Sequence, residues 1–207
     1  GTRYVRRTDL ANTALAFVSL DARGERSFSF YRPPAADLLF ARDDFDDACF
    51  RDLGVFHVCS NSMTDARIAE TTLSGLQRAR RGAALTSIDI NLRPALWPDG
   101  RPVLERLWQA LALADLVKLA REELEFLQQG IDSADVVIDR LLQDARLVLV
   151  TDGGEPIRWH TRNTRGVLPT QPVTAIDTTA AGDAFIGGLL CALQRDGIDS
   201  ARFDGFL

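Results

Sequence analysis

The chain has 207 residues, of which 46% are hydrophobic and 26% are charged. That length and balance allow one sizeable buried core, which excludes an intrinsically disordered protein. The formal net charge of −5 and the lack of an uninterrupted apolar stretch of membrane-span length argue against nucleic acid and against a membrane as partners.

The cysteines and histidines indicate no metal site. Cys49, Cys59 and Cys191 are widely spaced in apolar stretches, where small buried side chains are expected. Free thiols of this kind are typical of a reducing compartment, so we expect a cytoplasmic protein. His57 and His160 lie in strand-like runs, in which packing or solvent contact is a commoner role than metal binding.

The first part of the chain predicts a β-hairpin. The sequence starts with Gly1 rather than methionine and soon becomes strand-like, so we expect it to be a portion of a longer protein. Residues 13–20 (TALAFVSL) and 27–31 (SFSFY) are rich in β-forming residues and flank the polar segment 21–26. We assign residues 1–32 to this β-rich region and residues 33–207 to a larger α/β core.

The larger region alternates helical patterns with short apolar strands. Helices are predicted at residues 45–53, from a cap at Thr64 or Asp65 to about Arg81, at 103–113, within 121–129 and within 135–143. Strands are predicted at 54–59, 85–90, 115–118 and 147–151. This alternation implies right-handed crossovers and a parallel sheet with helices on both faces. Ligands bind beyond the carboxyl ends of such strands, so candidate site residues are sought there.

Asn91 and Arg93 follow the predicted strand 85–90. The guanidinium of Arg93 is suited to a carboxylate or a phosphate. A structural ion pair between Arg93 and an acid such as Asp89 explains the same sequence equally well.

Two further strand ends carry polar residues. Lys118 closes a buried strand, and Glu122 and Glu123 follow in a first helical turn, where carboxylates also complement the helix dipole. Thr151 and Gly153 belong to the TDGG that follows the strand near residue 150. Glycine there allows a nucleotide phosphate to approach the backbone, but a plain hairpin turn is an equal alternative.

The segment DTTAAGD, residues 177–183, is the strongest indication of a catalytic site in the sequence. The first N–H groups of a helix have no intrahelical acceptor, so they and the helix dipole favour an anion. Gly182 lets a ligand come close, and Asp183 places a carboxylate beside the same N–H groups. Phosphoryl transfer to a hydroxyl needs such a base next to an anion hole. The alternative is an acid that only complements its helix.

DTTAAGD resembles the DTxGAGD signature of the ribokinase-like (PfkB-type) carbohydrate kinases. IDINLRPALW, VKLAREELEFL and LVLVTDGGEPIRW resemble further segments of that family and occur in the expected order. The resemblance covers essentially the whole chain and is strongest to bacterial fructokinases. It implies a doubly wound, mostly parallel α/β sheet with helices on both faces, and a small β-rich lid that excludes water from the sugar.

The resemblance implies transfer of the γ-phosphoryl group of ATP to a sugar hydroxyl, with O6 of fructose as the first choice. Asp183 matches the family's catalytic base, and the N–H groups of Ala180, Ala181 and Gly182 match its anion hole. Glu123 matches the acid that organises Mg²⁺ through water.

The resemblance also implies which residues lie near the nucleotide and the sugar, and how the protein assembles. Thr151 and Gly153 match the loop beside the nucleotide, Lys118 and Asn91 lie near the phosphates, and Arg32 and Arg93 match positions that contact the sugar or a sugar acid. Some relatives also use a monovalent cation such as K⁺. A homodimer through the lid strands is a further expectation from the family.

Several positions depart from the family pattern. Ala180 replaces a usual glycine, and we expect a negative φ there because a methyl group disfavours left-handed backbone. Ala120 replaces the asparagine of the NxxE element, and Phe30 lacks a hydroxyl typical of 2-keto-3-deoxygluconate kinases.

N- and C-terminal parts of the family fold are missing, so an incomplete fold is expected. The alternatives to a fructokinase are a 2-keto-3-deoxygluconate kinase and a catalytically silent sugar- or nucleotide-binding regulator.

Overall fold

The computed structural model of the chain describes residues 2–20, 26–174 and 177–207. The strands in these ranges are β1 (Leu15–Leu20), β2 (Arg26–Tyr31), β3 (Val55–Cys59), β4 (Leu85–Asp89), β5 (Leu116–Ala120), β6 (Leu147–Asp152), β7 (Glu155–His160) and β8 (Arg165–Leu168). The α-helices are α1 (Ala66–Arg81), α2 (Leu104–Leu111), α3 (Arg121–Leu127), α4 (Ala134–Leu141), α5 (Ala181–Arg195) and α6 (Phe203–Phe206).

The main sheet has six strands in the order β3-β4-β5-β6-β7-β8. Strands β3 to β6 pair in parallel, and β7 and β8 extend the sheet in antiparallel fashion. The predicted strands at residues 54–59, 85–90, 115–118 and 147–151 are confirmed to within two residues at each end. Since parallel strands run in one direction, the loops after β3, β4 and β5 meet at one edge of the sheet.

Helices cover both faces of this sheet, as the alternation predicted. Helices α1 to α4 pack on one face around buried residues such as Leu76 and Val117. Helix α5 packs on the other face, where Ile186 and Leu193 contact a cluster that includes Leu116. The period of two along β5 places Leu116 and Val117 on opposite faces, so one strand contributes to both cores.

The N-terminal strands form a separate sheet. β1 and β2 pair antiparallel from Leu15–Tyr31 to Leu20–Arg26, which confirms the two hairpin strands. The connecting segment 21–25 of the predicted hairpin lies outside the described residues. Apolar side chains on one face of this sheet remain exposed, with 54% exposure at Phe17 and 58% at Tyr31. The lid function and the homodimer expected through these strands stay predictions.

The predicted helix at residues 45–53 is wrong. Within this range the chain forms a short 3₁₀ turn, Asp47–Phe50, and another, Arg42–Asp44, precedes it. The rings of Phe45 and Phe50 lie 5.3 Å apart and pack in one aromatic cluster. Residues five apart on an α-helix point about 140° from each other, so a continuous helix would separate these two rings.

Helix α1 begins and ends as the sequence predicted. Asp65 is its N-cap and accepts the N–H of Arg67 at 2.9 Å, which satisfies one donor of the first turn. The helix ends at Arg81, before Gly82. Across the described ranges, none of the helices combines the length and the apolar character that crossing a bilayer would need.

Candidate active site

Helix α5 begins with a left-handed residue. Ala180, its N-cap, has φ 60° and ψ 15°, so the expectation of a negative φ there is wrong. This conformation lets the N–H of Ala181 donate to Thr178 O at 3.1 Å, and lets Ala184 make the first helical bond to Ala180 O at 2.8 Å. A side chain in left-handed backbone costs roughly 1–2 kcal/mol. The hydrogen bonds of the turn therefore hold Ala180 in a conformation for which glycine is better suited.

The first turn of α5 leaves backbone donors for an anion. Because Ala181 N–H is engaged by Thr178, it is not free to bind a ligand in this conformation. The N–H groups of Gly182 and Asp183 find no acceptor among the residues that the structure describes. They lie at the positive end of the helix dipole, which favours negative charge in front of them.

Asp183 meets the end of β4 at this helix terminus. The Asn91 amide donates from Nδ2 to Asp183 Oδ1 at 3.2 Å, joining residues 92 positions apart. Asp183 itself is exposed, so its carboxylate is accessible to a substrate. The structure thus brings Asn91 and Asp183 together, and the roles that the resemblance implied for Asn91, Gly182 and Asp183 stay predictions.

Lys118 forms a buried ion pair beneath the same turn. Its Nζ donates to Asp89 Oδ1 at 3.0 Å and to Oδ2 at 3.2 Å, and the two side chains are 6% and 3% exposed. A Cβ added at Gly182 would lie 3.0 Å from Lys118 Nζ. The ammonium therefore occupies the space that a side chain at Gly182 would need, and Asp89 Oδ2 lies 3.9 Å from the same Cβ position.

The structural alternative for Arg93 was an ion pair with an acid such as Asp89; the choice of Asp89 is wrong, because Asp89 pairs with Lys118. Arg93 instead donates to Leu92 O at 3.0 Å, and its guanidinium lies 5.9 Å from the centroid of the Phe28 ring. Phe28 belongs to β2, so Arg93 connects the loop after β4 with the N-terminal sheet. Asp89 was missed as a site residue, because it lies opposite Lys118 only through the register between β4 and β5.

Glu123 holds two loops together at the edge of the sheet. One carboxylate oxygen accepts the N–H of Leu92 at 2.7 Å and the other accepts the N–H of Ala120 at 2.7 Å. The residue is only 8% exposed. Burial raises the pKa of Glu123 above its ordinary range, and the two N–H groups oppose that rise.

These contacts bear on the Mg²⁺ expected at Glu123. Mg²⁺ binds through few carboxylates and keeps several waters when it accompanies a substrate phosphate. Both Glu123 oxygens already accept an N–H, but each retains a lone pair for a hydrogen bond from a metal-bound water. The residue therefore fits the expected contact through water. No cluster of three or more metal-ligating side chains occurs within residues 2–20, 26–174 and 177–207.

His57 is a neighbour of the site that the sequence did not reveal. It lies opposite Ser87 in the β3–β4 pairing, and its Nδ1 is 3.0 Å from Ser87 Oγ. Burial lowers the pKa of His57, while the charges of Asp89 and Asp183 oppose that shift. In the strand pairing His57 lies opposite Ser87, two residues before Asp89 on β4.

Thr151 and Gly153 lie at the hairpin between β6 and β7. Thr151 is near the end of β6, and Gly153 has φ 53° in the turn that follows. A Cβ at Gly153 would meet no atom within 4 Å. The hairpin turn accounts for the glycine through its positive φ, and the role of this turn beside a nucleotide stays a prediction.

Arg32 lies in a network of protein groups. Its Nε donates to Asp37 Oδ2 at 3.0 Å, its Nη1 to Thr64 Oγ1 at 2.9 Å, and its Nη2 to Asn61 O at 3.1 Å. The side chain is 11% exposed. Arg32 therefore joins the end of β2 to the loop before α1, and its positive charge already has Asp37 as partner.

The chain matches a family of known proteins over almost its whole length. Residues 1–203 match the sequence profile described as pfkB family carbohydrate kinase. The chain belongs to this family. The resemblance drawn from its four sequence segments is thereby confirmed, and the mostly parallel sheet described above is the ribokinase-like fold of the pfkB kinases.

Fructokinases are prominent among the similar pfkB-family proteins. Fructokinase-1 of Oryza sativa subsp. japonica is 40% identical over 188 residues, which are 90% of this chain and 58% of that protein. The crystal structure of fructokinase with bound ATP from Xylella fastidiosa is 52% identical with a TM-score of 0.92, over 97% of this chain and 62% of that chain.

A third relative was solved with both a sugar and a nucleotide. The structure of fructokinase from Vibrio cholerae O395 with fructose, ADP and calcium ion bound is 32% identical with a TM-score of 0.81. The match covers 92% of this chain and 61% of that chain. The chain thus spans about three fifths of the length of these pfkB-family relatives.

Proposed function

We propose that this chain carries the phosphoryl-transfer centre of an ATP-dependent sugar kinase, with Asp183 as general base. The observation that carries the proposal is the first turn of α5, where the Asp183 carboxylate lies beside the N–H groups of Gly182 and Asp183. The buried ion pair of Lys118 and Asp89 lies beneath the same turn. A base next to positively polarised donors suits a reaction in which a hydroxyl loses its proton while charge develops on a phosphoryl group.

The reaction follows from these positions. Asp183 accepts the proton of the sugar hydroxyl as its oxygen forms a bond to the γ-phosphorus of ATP and the bond from that phosphorus to the ADP oxygen breaks. The Gly182 and Asp183 N–H groups stabilise the charge on the transferred group. Mg²⁺, when bound, neutralises charge on the ATP phosphates, with Glu123 accepting from its waters. The products are ADP, a sugar phosphate and a proton on Asp183.

Fructose is the proposed sugar, with transfer to its O6 hydroxyl. Support comes from the 52% and 32% identity to the fructokinases of Xylella fastidiosa and Vibrio cholerae O395. The contacts of Arg32 also favour a neutral sugar at this position, because the carboxylate of a sugar acid would have to displace Asp37 to pair with Arg32. A neutral sugar has no such requirement at Arg32.

Coupled ADP release by the complete gene product tests the proposal. Fructose, 2-keto-3-deoxygluconate, ribose and no sugar are compared with and without Mg²⁺. We expect release that depends on fructose and Mg²⁺, and a loss of kcat of about 10²-fold or more in Asp183→Asn, since general bases contribute about 10²–10⁴-fold. The variant should still bind ATP, because asparagine has the same shape.

Three results would contradict parts of this proposal. Full turnover in Asp183→Asn would exclude Asp183 as the base. Turnover with 2-keto-3-deoxygluconate alone would exclude fructose as the sugar. ATP binding without turnover on any sugar would identify a silent regulator of the same fold.

A further inference from the structure

Asn91 adopts a conformation that its surroundings impose. Its φ of 40° lies in the left-handed region, which non-glycine residues seldom occupy, although asparagine tolerates it better than most. Residues held in this region are characteristic of functional sites, where the surrounding structure determines the backbone. The side chain of Asn91 uses this conformation to reach Asp183 on α5, at 3.2 Å from Nδ2 to Oδ1.

Hydrogen bonds fix the backbone on both sides of Asn91. On one side, Ile90 donates to Lys118 O at 3.0 Å and accepts from Ser60 N at 3.1 Å. On the other side, the N–H of Leu92 donates to the buried carboxylate of Glu123 at 2.7 Å. A loop attached in this way to β5, α3 and the end of β3 can hold a side chain in a fixed direction.

The hydrogen bond from Asn91 engages one of the two carboxylate oxygens of Asp183 and leaves the other without a described partner. Oδ1 accepts the Asn91 amide, whereas Oδ2 has no partner among the described residues. A carboxylate with one oxygen held by a fixed donor loses rotational freedom about its last bond. The other oxygen then keeps a defined direction toward a hydroxyl, which general-base catalysis requires.

We propose that Asn91 is a positioning residue for Asp183, which orients the carboxylate so that Oδ2 takes the proton. The inference rests on the proposed function and deepens it. It differs from the family-based expectation for Asn91, a place near the phosphates. A residue that positions Asp183 affects the rate of transfer, whereas a residue that binds phosphate affects ATP affinity.

Asn91→Gly separates the amide from the backbone. Glycine adopts a positive φ without strain, so the loop keeps its path and only the amide is lost. We expect kcat to fall about ten- to hundredfold, the range that misplacement of a catalytic group by about 1 Å can cause. The KM and Kd for ATP should stay within about twofold of the wild-type values. Asp99→Gly is the matched control, because Asp99 has φ 54° and lies outside the site; its kcat should not change.

A double-mutant cycle shows whether Asn91 acts through Asp183. Single-turnover transfer from labelled ATP is measured in the complete gene product for Asn91→Gly, Asp183→Asn and the double variant. We expect the double variant to transfer within about twofold of the rate of Asp183→Asn.

The possible outcomes separate the two proposals. A wild-type kcat in Asn91→Gly, a weaker Kd for ATP as its main effect, or losses that multiply in the double variant would each overturn the positioning role. In all three cases the kinase itself would stand. A wild-type protein that transfers no phosphoryl group would overturn the proposed function, and the role of Asn91 with it.

Discussion

At the scale of single residues, the absence of a side chain at Gly182 leaves room for the Lys118 ammonium beneath the first turn of α5. A methyl group at position 182 would lie 3.0 Å from Lys118 Nζ, which is tighter than an ordinary contact. Lys118 is held by both oxygens of Asp89 and cannot move without weakening that buried ion pair. The absence of a side chain at position 182 therefore leaves the ion pair of Lys118 and Asp89 undisturbed.

We expect Gly182→Ala to lower turnover by about tenfold or more, because small displacements of catalytic groups can cost up to about 10²-fold. The free energy of unfolding should change little, because alanine favours a helix by about 1 kcal/mol over glycine. This gain offsets part of the strain from the close approach of the methyl group to Lys118. Coupled ADP release and urea unfolding measure the two effects. The control is Gly187→Ala in the same helix, where a Cβ meets no atom within 4 Å. It should keep full turnover, and wild-type turnover in Gly182→Ala would show that the contact has no functional role.

At the scale of elements, α1 lies close to β3 because Gly75 has no side chain. A Cβ at Gly75 would lie 2.6 Å from Phe56 Cζ and 3.0 Å from Phe45 Cζ. We expect Gly75→Ala to lower the free energy of unfolding by about 1–3 kcal/mol, as overpacking does in other cores. The helix propensity of alanine, about 1 kcal/mol better, should not compensate fully.

Urea unfolding of the Gly75→Ala variant measures this effect. Gln77→Ala is the matched control, since Gln77 is exposed on the same helix and its change should stay within about 0.5 kcal/mol. A Gly75→Ala variant as stable as the wild-type protein would mean that the helix can move away from the Phe56 ring at no cost.

The sequence predicted the elements of the sheet better than their contacts. Apolar strands such as residues 85–90 and 147–151 are short, are bounded by turn residues and alternate with helical patterns, so their type follows from local sequence alone. The turns at 42–50 were not predictable in this way, because they depend on where Phe45 and Phe50 pack. Tertiary contacts overruled the helical pattern there.

Part of the candidate site was predictable because it, too, follows from local sequence patterns. The first turn of α5 carries a local pattern, Asn91 follows a predicted strand and Lys118 closes another, so their position at one edge of the sheet could be expected. The pairing of Asp89 with Lys118 and the contact of His57 with Ser87 depend on the register between strands, which a single sequence does not specify. The left-handed backbone of Ala180 was mispredicted because local propensity opposes it and the hydrogen bonds of the turn impose it.

At the scale of the whole molecule, two histidines make stability depend on pH. His57 and His160 are the two histidines of the chain, and burial lowers the pKa of both below the ordinary value of 6.5. The unfolded chain therefore binds protons more readily than the folded protein. This difference stabilises the fold above pH 6.5, and that stabilisation is lost as the pH falls through the lowered pKa values of the folded state.

We therefore expect the free energy of unfolding to fall as the pH is lowered from about 7.5 to about 5.5, where histidines titrate. In the double variant His57→Asn/His160→Asn, the free energy of unfolding should depend less steeply on pH. Asparagine retains a polar group opposite Ser87 and does not titrate. Glu123, whose pKa is raised by burial, acts in the opposite sense, but it is common to both proteins and cancels in their difference. Urea unfolding at a series of pH values measures the two slopes, and equal slopes would show that burial of the histidines does not control this dependence.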